Sequence, residues 1–173
     1  KVSKEILKKI TKFAQEKMKN ADYNHDWNHI LMTVNLVKYI ARKEKADLEI
    51  VEVATYLHDI GYSVQAKNHE EIGAKIAYKF LQELNLSQDF IDKVCHIIEH
   101  HKLAMILKTN SLEAKVLYDA DKLQVIGVFA FPRMLSGNLV FIKKNLKDGM
   151  KIVEKYQKER LESLQTKTAK ILI

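Results

Sequence analysis

The histidines of this chain are concentrated in its first 101 residues. There are seven, and none lies beyond that point: His25, His29, His58, His69, His96, His100 and His101. Imidazole nitrogens and carboxylate oxygens are the usual protein ligands of Zn, Mn, Fe, Co and Ni. A set of two His and two Asp balances the charge of a divalent ion and leaves coordination positions for water. Histidines that fold beside aspartates are therefore candidate metal ligands.

One histidine has an aspartate as its direct neighbour. His58 and Asp59 are followed closely by Gly61. Neighbours on an α-helix point about 100° apart, so both side chains can address one centre only where the helix ends. The glycine favours such an end. An aspartate that caps a helix beside a packed histidine would give the same pair, so the dipeptide alone is weak evidence of a metal site.

Three segments that contain His or Asp follow one another along the chain. They are residues 25–29 (His-Asp-Trp-Asn-His), 57–61 (Leu-His-Asp-Ile-Gly) and 119–127 (Asp-Ala-Asp-Lys-Leu-Gln-Val-Ile-Gly). The first resembles the HDWxH entry segment of the HD-domain superfamily of metal-dependent phosphohydrolases. The second resembles its central His-Asp motif, and the third its DADxLxxIG segment. The resemblance covers about residues 22–137 and is closest to small stand-alone members of the family.

The resemblance implies one divalent ion held by four residues: His29, His58, Asp59 and Asp121. It leaves the identity of the ion open among Mn, Fe, Co, Ni, Zn and Mg. In the implied chemistry the ion lowers the pKa of a water and polarises a phosphoryl oxygen. Asp59 would bridge the ion and the water, or act as the general base.

Two more aspartates lie close to the implied ligands. Asp119 would either accept a hydrogen bond from a ligand histidine and so orient it, or be a buried acid paired with a lysine. Asp26 would either orient a ligand histidine in the same way or cap the following helix. Its position three residues before His29 favours the N-cap of a helix over the orienting role.

Three further histidines are candidates for a second metal. Residues 68–73 resemble the HPxxG segment of the cyclic-di-nucleotide branch of the family, in which His69 would be a ligand. His100 and His101 resemble the His-His pair of that branch. The chain departs from the branch because Glu70 replaces its proline and no Gly-Tyr-Pro segment follows the pair.

The same histidines have a second interpretation in single-metal relatives. There, residues at the positions of His69 and His101 lie near the metal, where a protonated imidazole binds phosphate or donates a proton. A solvent-facing residue at the start of a helix is the alternative for His69. Because adjacent residues diverge by about 100°, we expect at least one of His100 and His101, and not necessarily both, to face the site.

Two cations are candidate contacts for substrate phosphates. Arg133 is one of three arginines in the chain, and its planar fork suits bidentate contact with phosphate. A surface salt bridge is its alternative role. Lys122 directly follows Asp121 and is a candidate both for binding the substrate and for neutralising charge in the transition state.

Together these residues predict hydrolysis of a nucleotide or a related phosphomonoester or pyrophosphate. The alternatives are a dinuclear phosphodiesterase for cyclic nucleotides or di-nucleotides, and a non-catalytic, metal-stabilised module that binds a nucleotide or nucleic acid. The net charge of +7 arises from 29 Lys and Arg against 22 Asp and Glu, and scattered lysines are typical of a solvated surface. Without an RNA-binding motif in the sequence, a nucleic-acid partner is not expected.

The composition favours an all-α protein. Among 173 residues only 5 are Gly and 1 is Pro, too few for the turns of a sandwich or barrel. The single cysteine, Cys95, excludes an internal disulfide and agrees with a reducing compartment. No apolar run approaches the roughly 20 residues of a membrane span. We expect one compact cytoplasmic HD domain over residues 1–173, a bundle of about six to eight helices that is a monomer or a homodimer.

Apolar periodicity predicts the helices that carry these residues. They span about residues 3–20, 29–45, 48–58, 69–84, 88–102, 111–123 and 139–164. Four residues are the predicted N-caps: Asp47, Asn68, Ser87 and Asn110. Residues 128–137, which contain Pro132, are predicted to form a short irregular helix or a loop packed on the core. The tail, residues 165–173, is predicted to fray.

Overall fold

The computed structural model describes residues 1–20, 26–127, 130–132, 134–135 and 145–173, and within them it contains helices and no strand. The α-helices are α1 (Lys4–Lys17), α2 (Trp27–Glu44), α3 (Leu48–Leu57), α4 (His69–Glu83), α5 (Gln88–Glu99), α6 (Leu103–Ile106), α7 (Leu112–Leu123), α8 (Leu146–Glu162) and α9 (Lys167–Ile171). Short 3-10 helices cover Met18–Asn20 and Ile60–Ser63. The predicted all-α class is confirmed. No helix of this part of the chain is long and apolar enough to cross a membrane.

Two of the predicted N-caps are confirmed. Asp47 accepts hydrogen bonds from the backbone N–H groups of Glu49 and Ile50 at the start of α3. Ser87 accepts one from Phe90 at the start of α5. Each bond satisfies a donor that the first turn of a helix leaves without an intrahelical partner.

The other two predictions need correction. Asn68 does occupy the N-cap position of α4, which begins at His69 as predicted, but its side chain does not act as a cap. Asn68 has a φ of 58°, in the left-handed region, and its side chain makes no capping hydrogen bond. A capping side chain usually reaches the first turn from an extended backbone, which Asn68 does not adopt. The cap of α7 is Ser111, whose hydroxyl accepts from Ala114, rather than Asn110.

Helix α5 ends before its predicted end at Lys102. Its last residue is Glu99, and the N–H of His100 bonds to the carbonyls of His96 and Ile97. The short helix α6, which periodicity did not predict, follows at Leu103. His101 therefore lies in a turn between two helices and not on the face of one.

The C-terminal tail folds instead of fraying. Thr166 caps α9 through the N–H of Ala169, and the N–H of Thr168 donates to Oε1 of Glu44 on α2 at 2.7 Å. The long helix α8 begins at its N-cap Asn145. Residues 130–132 and 134–135 are helical, which agrees with the predicted short irregular helix. The predicted helical residues 139–144, and the rest of segment 128–137, lie outside the described residues.

Helix α3 occupies the centre of the core. Seven of its ten residues are buried, so it is enclosed on nearly every side. It packs against α2, α5 and α7, which contribute Ile30, Ile97 and Leu117 as fully buried apolar side chains. This packing fixes the C-terminal end of α3, where His58 and Asp59 follow.

A close backbone contact joins the turn after α3 to the start of α4. A Cβ atom on Gly61 would overlap the carbonyl oxygen of His69. A Cβ on Gly73 would lie 3.3 Å from the backbone nitrogen of Gly61. Glycine at position 61 therefore allows His69 to lie next to the His58-Asp59 pair.

Candidate metal centre

Six ionisable side chains from five helix ends meet inside the bundle. They are His29 in the first turn of α2, His58 and Asp59 after α3, His69 at the start of α4, His101 after α5, and Asp121 in the last turn of α7. None is more than 8% exposed. Burial of so many polar groups is costly unless they are paired or bind a metal, so this centre is the candidate functional site.

The first cluster consists of His29, His58 and Asp121. Each offers one ligand atom, and these atoms all lie within 4.8 Å of one another. Nε2 of His29 lies 3.2 Å from Oδ1 of Asp121. The spacing is compatible with one ion between the three side chains.

The second cluster consists of Asp59, His69 and His101, with the same upper limit of 4.8 Å between ligand atoms. Nε2 of His69 and Nε2 of His101 lie 3.6 Å and 3.7 Å from Oδ1 of Asp59. The other oxygen, Oδ2, lies 3.2 Å from Nε2 of His58 and 3.7 Å from Nε2 of His29. Asp59 therefore faces the two clusters with different oxygens.

Backbone carbonyls orient three of the histidine rings. Nδ1 of His58 donates to the carbonyl of Thr55 at 2.7 Å. In the same way, Nδ1 of His69 bonds to Ala66 at 3.0 Å and Nδ1 of His101 to Ile98 at 2.5 Å. Since a carbonyl only accepts, each Nδ1 carries a proton. Nε2 is then the ring nitrogen that faces the centre, and it offers a lone pair to an ion whenever the ring is neutral.

This donor set fits a divalent cation. Nε2 of His58 is fully buried and faces Oδ2 of Asp59 at 3.2 Å. Nε2 of His69 and Nε2 of His101 face each other at 3.1 Å. Two facing lone pairs repel unless a proton or a cation lies near both of them. Imidazole and carboxylate together suit Zn, Mn, Fe, Co or Ni.

The first cluster holds a proton near neutral pH. Burial disfavours the charged form of His58, but the carboxylates of Asp59 and Asp121 outweigh it and raise the pKa of His58 to about 9. Burial also opposes ionisation of Asp121, yet Lys122, His29 and His58 hold the pKa of Asp121 well below its ordinary value. A metal bound here would displace the proton of His58.

The histidines of the second cluster are neutral. Burial, followed by the charge of His58, lowers the pKa of His101 to about 3. Burial also lowers the pKa of His69, although Asp59 acts in the opposite direction. Neutral imidazole is the form that binds a metal.

His100 lies in neither cluster. Its ring stacks on His96 with 4.0 Å between centroids, and its Nδ1 bonds to the carbonyl of His96 at 2.8 Å. The early end of α5 turns His101 inward and leaves His100 beside the helix. The structure therefore does not bring His100 together with the candidate metal ligands, whereas His101 faces the site as one of the pair was expected to do.

Asp119 does not orient a ligand histidine. Its Oδ1 accepts from the N–H of Gln165 at 2.8 Å, and its Oδ2 accepts from the N–H of Thr166 at 2.6 Å. Both oxygens thus anchor the start of α9, and the predicted orienting role is corrected. Neighbours two apart on a helix diverge, so Asp119 faces the C-terminal segment while Asp121 faces the cluster.

Asp26 is the N-cap of α2. Its Oδ1 accepts from the backbone N–H of His29 at 2.9 Å. This is the capping role that the spacing favoured over the orienting one. The cap acts on a ligand residue, because it fixes the backbone from which the His29 side chain extends.

Of the two cations predicted to contact substrate phosphates, the structure describes only Lys122. Nζ of Lys122 forms an ion pair with Oδ2 of Asp121 and lies 5.6 Å from the centre of the Tyr118 ring. Burial lowers the pKa of Lys122, but Asp121 and Tyr156 raise it overall, so the side chain stays charged. Arg133 lies outside the described residues.

Sequence reasoning missed a polar brace behind His29. The side chain of Gln124 donates to the carbonyl of His29 at 3.3 Å and also to the hydroxyl of Thr33. That hydroxyl donates to the same carbonyl at 2.8 Å. The brace ties α7 to α2, and only the position of Gln124 just after the third motif could have indicated it.

Solved structures of other proteins share this architecture. A predicted HD superfamily hydrolase from an uncultured Thermotogales bacterium is 29% identical, with a TM-score of 0.66 over 90% of this chain and 87% of that one. Bacillus subtilis YpgQ in complex with ADP is 26% identical, with a TM-score of 0.74 over 95% of this chain and 86% of that one.

Relatives found by sequence are longer than this chain. YpgQ of Bacillus subtilis is 32% identical over 130 residues, which are 72% of this chain and 62% of that protein. The tRNA (cytidine(56)-2'-O)-methyltransferase of Thermoplasma volcanium is 28% identical over 145 residues, 83% of this chain and 40% of that protein. The chain thus spans less than two thirds of the length of these curated relatives.

A family model gives the same assignment. The HD domain matches residues 26–126, more than half of the chain. The matched range contains every residue of both clusters. The three motifs, the helical fold and the buried His-Asp centre agree with this match, and the chain belongs to the HD-domain family.

Proposed function

We propose that this chain is a metal-dependent phosphohydrolase whose substrate is a nucleotide or a related phosphomonoester or pyrophosphate. The observation that carries the proposal is the position of Asp59, whose two oxygens face two buried groups of ligand atoms. The complex of YpgQ with ADP supports a nucleotide as the ligand of a related fold. The likeness to a predicted HD superfamily hydrolase supports hydrolysis.

The residues divide the work between binding an ion and moving a proton. His29, His58, Asp59 and Asp121 are the proposed ligands of the ion. A divalent ion supplies Lewis acidity, which lowers the pKa of a water and polarises a phosphoryl oxygen. Asp59 faces the first cluster with Oδ2 and the second cluster with Oδ1, so it is the proposed general base for a water between them.

Charge around the centre suits an anionic substrate. Lys122 is held charged beside Asp121, where it neutralises negative charge that develops on a phosphoryl group. The lowered pKa values of His69 and His101 keep both rings neutral, which favours a ligand role over phosphate binding by an imidazolium. The proposed role of Arg133 in phosphate binding rests on its residue type alone.

The test is a panel of nucleotides, deoxynucleotides, cyclic nucleotides and sugar phosphates, each assayed with Mn, Co, Ni, Zn, Mg and Fe. The variant Asp59→Asn keeps the side-chain volume and removes the shared charge. We expect it to lose more than about 100-fold in rate on any substrate that the wild type cleaves. Asp92→Asn, an exposed position on α5, is the matched control and should match the wild type.

Two outcomes would contradict the proposal. One is that the wild type cleaves no member of the panel with any of the metals. The other is that Asp59→Asn retains full activity. If the wild type instead binds a metal and a nucleotide without hydrolysis, the non-catalytic module becomes the better description.

The second cluster favours one further candidate, a dinuclear phosphodiesterase. Asp59, His69 and His101 provide a second set of three ligand atoms. Of these three residues, only Asp59 is also a proposed ligand of the first ion. Metal analysis of the loaded wild type separates the candidates. Two ions per chain, with cleavage of cyclic substrates only, would favour the phosphodiesterase. One ion per chain, with cleavage of linear phosphates, would favour the first proposal.

A further inference from the structure

An arginine of α8 has buried donors that bond to no acceptor in the part of the chain that the structure describes. Arg160 is in the last turn of α8, with Cζ 4.1 Å from the centre of the Tyr156 ring. Its Nε and Nη1 atoms are buried and make no hydrogen bond within the described residues. The neighbouring acids Glu159 and Glu162 lie within 4.0 Å of lysines one turn earlier.

The position of Arg160 is fixed by contacts between α7 and α8. The hydroxyl of Ser163 donates to the carbonyl of Arg160 at 2.9 Å and lies 2.6 Å from the hydroxyl of Tyr118. Tyr118 is one helical turn before Lys122 on α7. The backbone of Arg160 is therefore held against α7 near Tyr118, one helical turn before the residue that pairs with Asp121.

The charge of Arg160 also acts on two side chains of α7. The charge of Arg160 acts to lower the pKa of Lys122, against the larger opposing effect of Asp121. It also acts on the Tyr118 hydroxyl. The charge of Arg160 is thus felt by Lys122, which pairs with Asp121 of the first cluster.

This arrangement is costly without an anion. Buried guanidinium donors that lack acceptors forfeit the hydrogen bonds they make in water. Stacking on Tyr156 offsets a part of that cost and holds the guanidinium plane in one orientation. A planar, oriented guanidinium with free donors is well suited to phosphate oxygens.

We propose that Arg160 binds a phosphate group of the substrate at the edge of the first cluster, beside Lys122. The assignment rests on the proposed function in one respect, namely that the substrate carries phosphate. It adds a contact from α8, outside the residues matched by the HD domain. Arg160 then sets the preference of the site for phosphorylated ligands and does not itself take part in proton transfer.

The experiment compares two arginine variants of the full chain. Arg160→Gln removes the proposed contact, and Arg42→Gln removes an equal charge from an exposed position on α2. Inorganic phosphate and a nucleoside diphosphate are titrated into each protein by calorimetry at constant ionic strength. We expect Arg160→Gln to weaken binding roughly tenfold or more and Arg42→Gln to change it by less than about twofold.

Thermal melts separate a binding role from a structural one. Added phosphate should raise the melting temperature of the wild type and of Arg42→Gln, but not that of Arg160→Gln. Without phosphate, Arg160→Gln should melt no lower than the wild type, because it removes an unpaired buried charge. Arg160→Lys should restore only part of the affinity, since an ammonium lacks the bidentate fork.

The readouts distinguish this proposal from the proposed function. If hydrolysis is found, Arg160→Gln should raise KM and leave kcat within about threefold. Hydrolysis with an unchanged KM and unchanged phosphate affinity in Arg160→Gln would overturn the role of Arg160 alone. Phosphate binding that depends on Arg160 without any hydrolysis would support the role of Arg160 and contradict the proposed function. A wild type that binds neither phosphate probe would overturn the role of Arg160.

Discussion

Asp59 faces both clusters, but the clusters differ in their charge and in the elements that position their residues. The first contains the additional carboxylate of Asp121, and a proton is held on His58. The second has only the shared carboxylate and two neutral histidines. A divalent cation gains more from two carboxylates than from one, so we expect the first cluster to bind it more tightly.

The clusters are also positioned by different devices. Residues of the first follow from the packing of α2, α3 and α7 in the core. The second depends on the contact between Gly61 and the start of α4, and on the turn after α5 that carries His101. Core packing tolerates little displacement, whereas a turn depends on a few local bonds. The second cluster is therefore the one whose occupancy we expect to be more easily lost.

The largest expected effect separates the clusters by mutation. His58→Gln removes a ligand of the first cluster, and we expect it to lower hydrolysis by more than about 100-fold and to remove the tightly bound ion. His101→Gln should leave that ion in place and weaken only a second one, by about 10- to 100-fold. Metal content after desalting and the rate of hydrolysis are the measurements.

His100→Gln provides the control for both variants. It makes the same substitution at the residue next to His101, whose ring stacks on His96 outside both clusters. Its metal content should equal that of the wild type. Equal metal loss in His58→Gln and His101→Gln would mean that the clusters act as one site, and metal loss in His100→Gln would contradict the geometry.

Motif spacing was sufficient to predict which candidate ligands come together, but not which way every side chain faces. Four implied ligands, from His29 to Asp121, meet because each lies at a helix end that capping and periodicity could locate approximately. The choice between His100 and His101 depended on the residue at which α5 ends. Periodicity cannot set that boundary, because the helix could have continued to Lys102 without changing its apolar face.

Long-range partners were beyond sequence reasoning for a different reason. Asp119 binds backbone groups of Gln165 and Thr166, and no side-chain pattern marks a backbone donor. The proposed role of Arg160 depends on contacts between α7 and α8, which lie far along the chain from any motif. A left-handed residue at position 68 was likewise invisible, because asparagine suits both that conformation and an N-cap.

A smaller expected effect is that metal binding releases a proton from the first cluster but not from the second. Since the pKa of His58 is raised to about 9, the ring is protonated at pH 7 and an ion must displace that proton. Affinity of the first cluster should therefore rise up to about tenfold per pH unit between pH 6.5 and 8.5. The second cluster should change little over this range, because the lowered pKa of His101 leaves its ring already neutral.

Calorimetry in buffers of different ionisation enthalpy measures this directly. Binding of the first ion at pH 7 should release about one proton, and binding of the second should release close to none. The variant His58→Gln should abolish the release. If the first ion binds without proton release, His58 either is neutral at pH 7 or is not a ligand.

The smallest effect tests whether capping α2 contributes to the first cluster. Asp26→Ala removes the acceptor for the N–H of His29 and should lower the free energy of unfolding by about 1 kcal/mol. Ser3→Ala removes a comparable cap from α1, which carries no ligand residue, and should cost a similar amount. Only Asp26→Ala should also weaken the first ion, by a few-fold, because the cap fixes the backbone of His29. If both variants lose stability but neither changes metal affinity, core packing of α2 and the brace from Gln124 suffice to position His29, and the cap stabilises the helix alone.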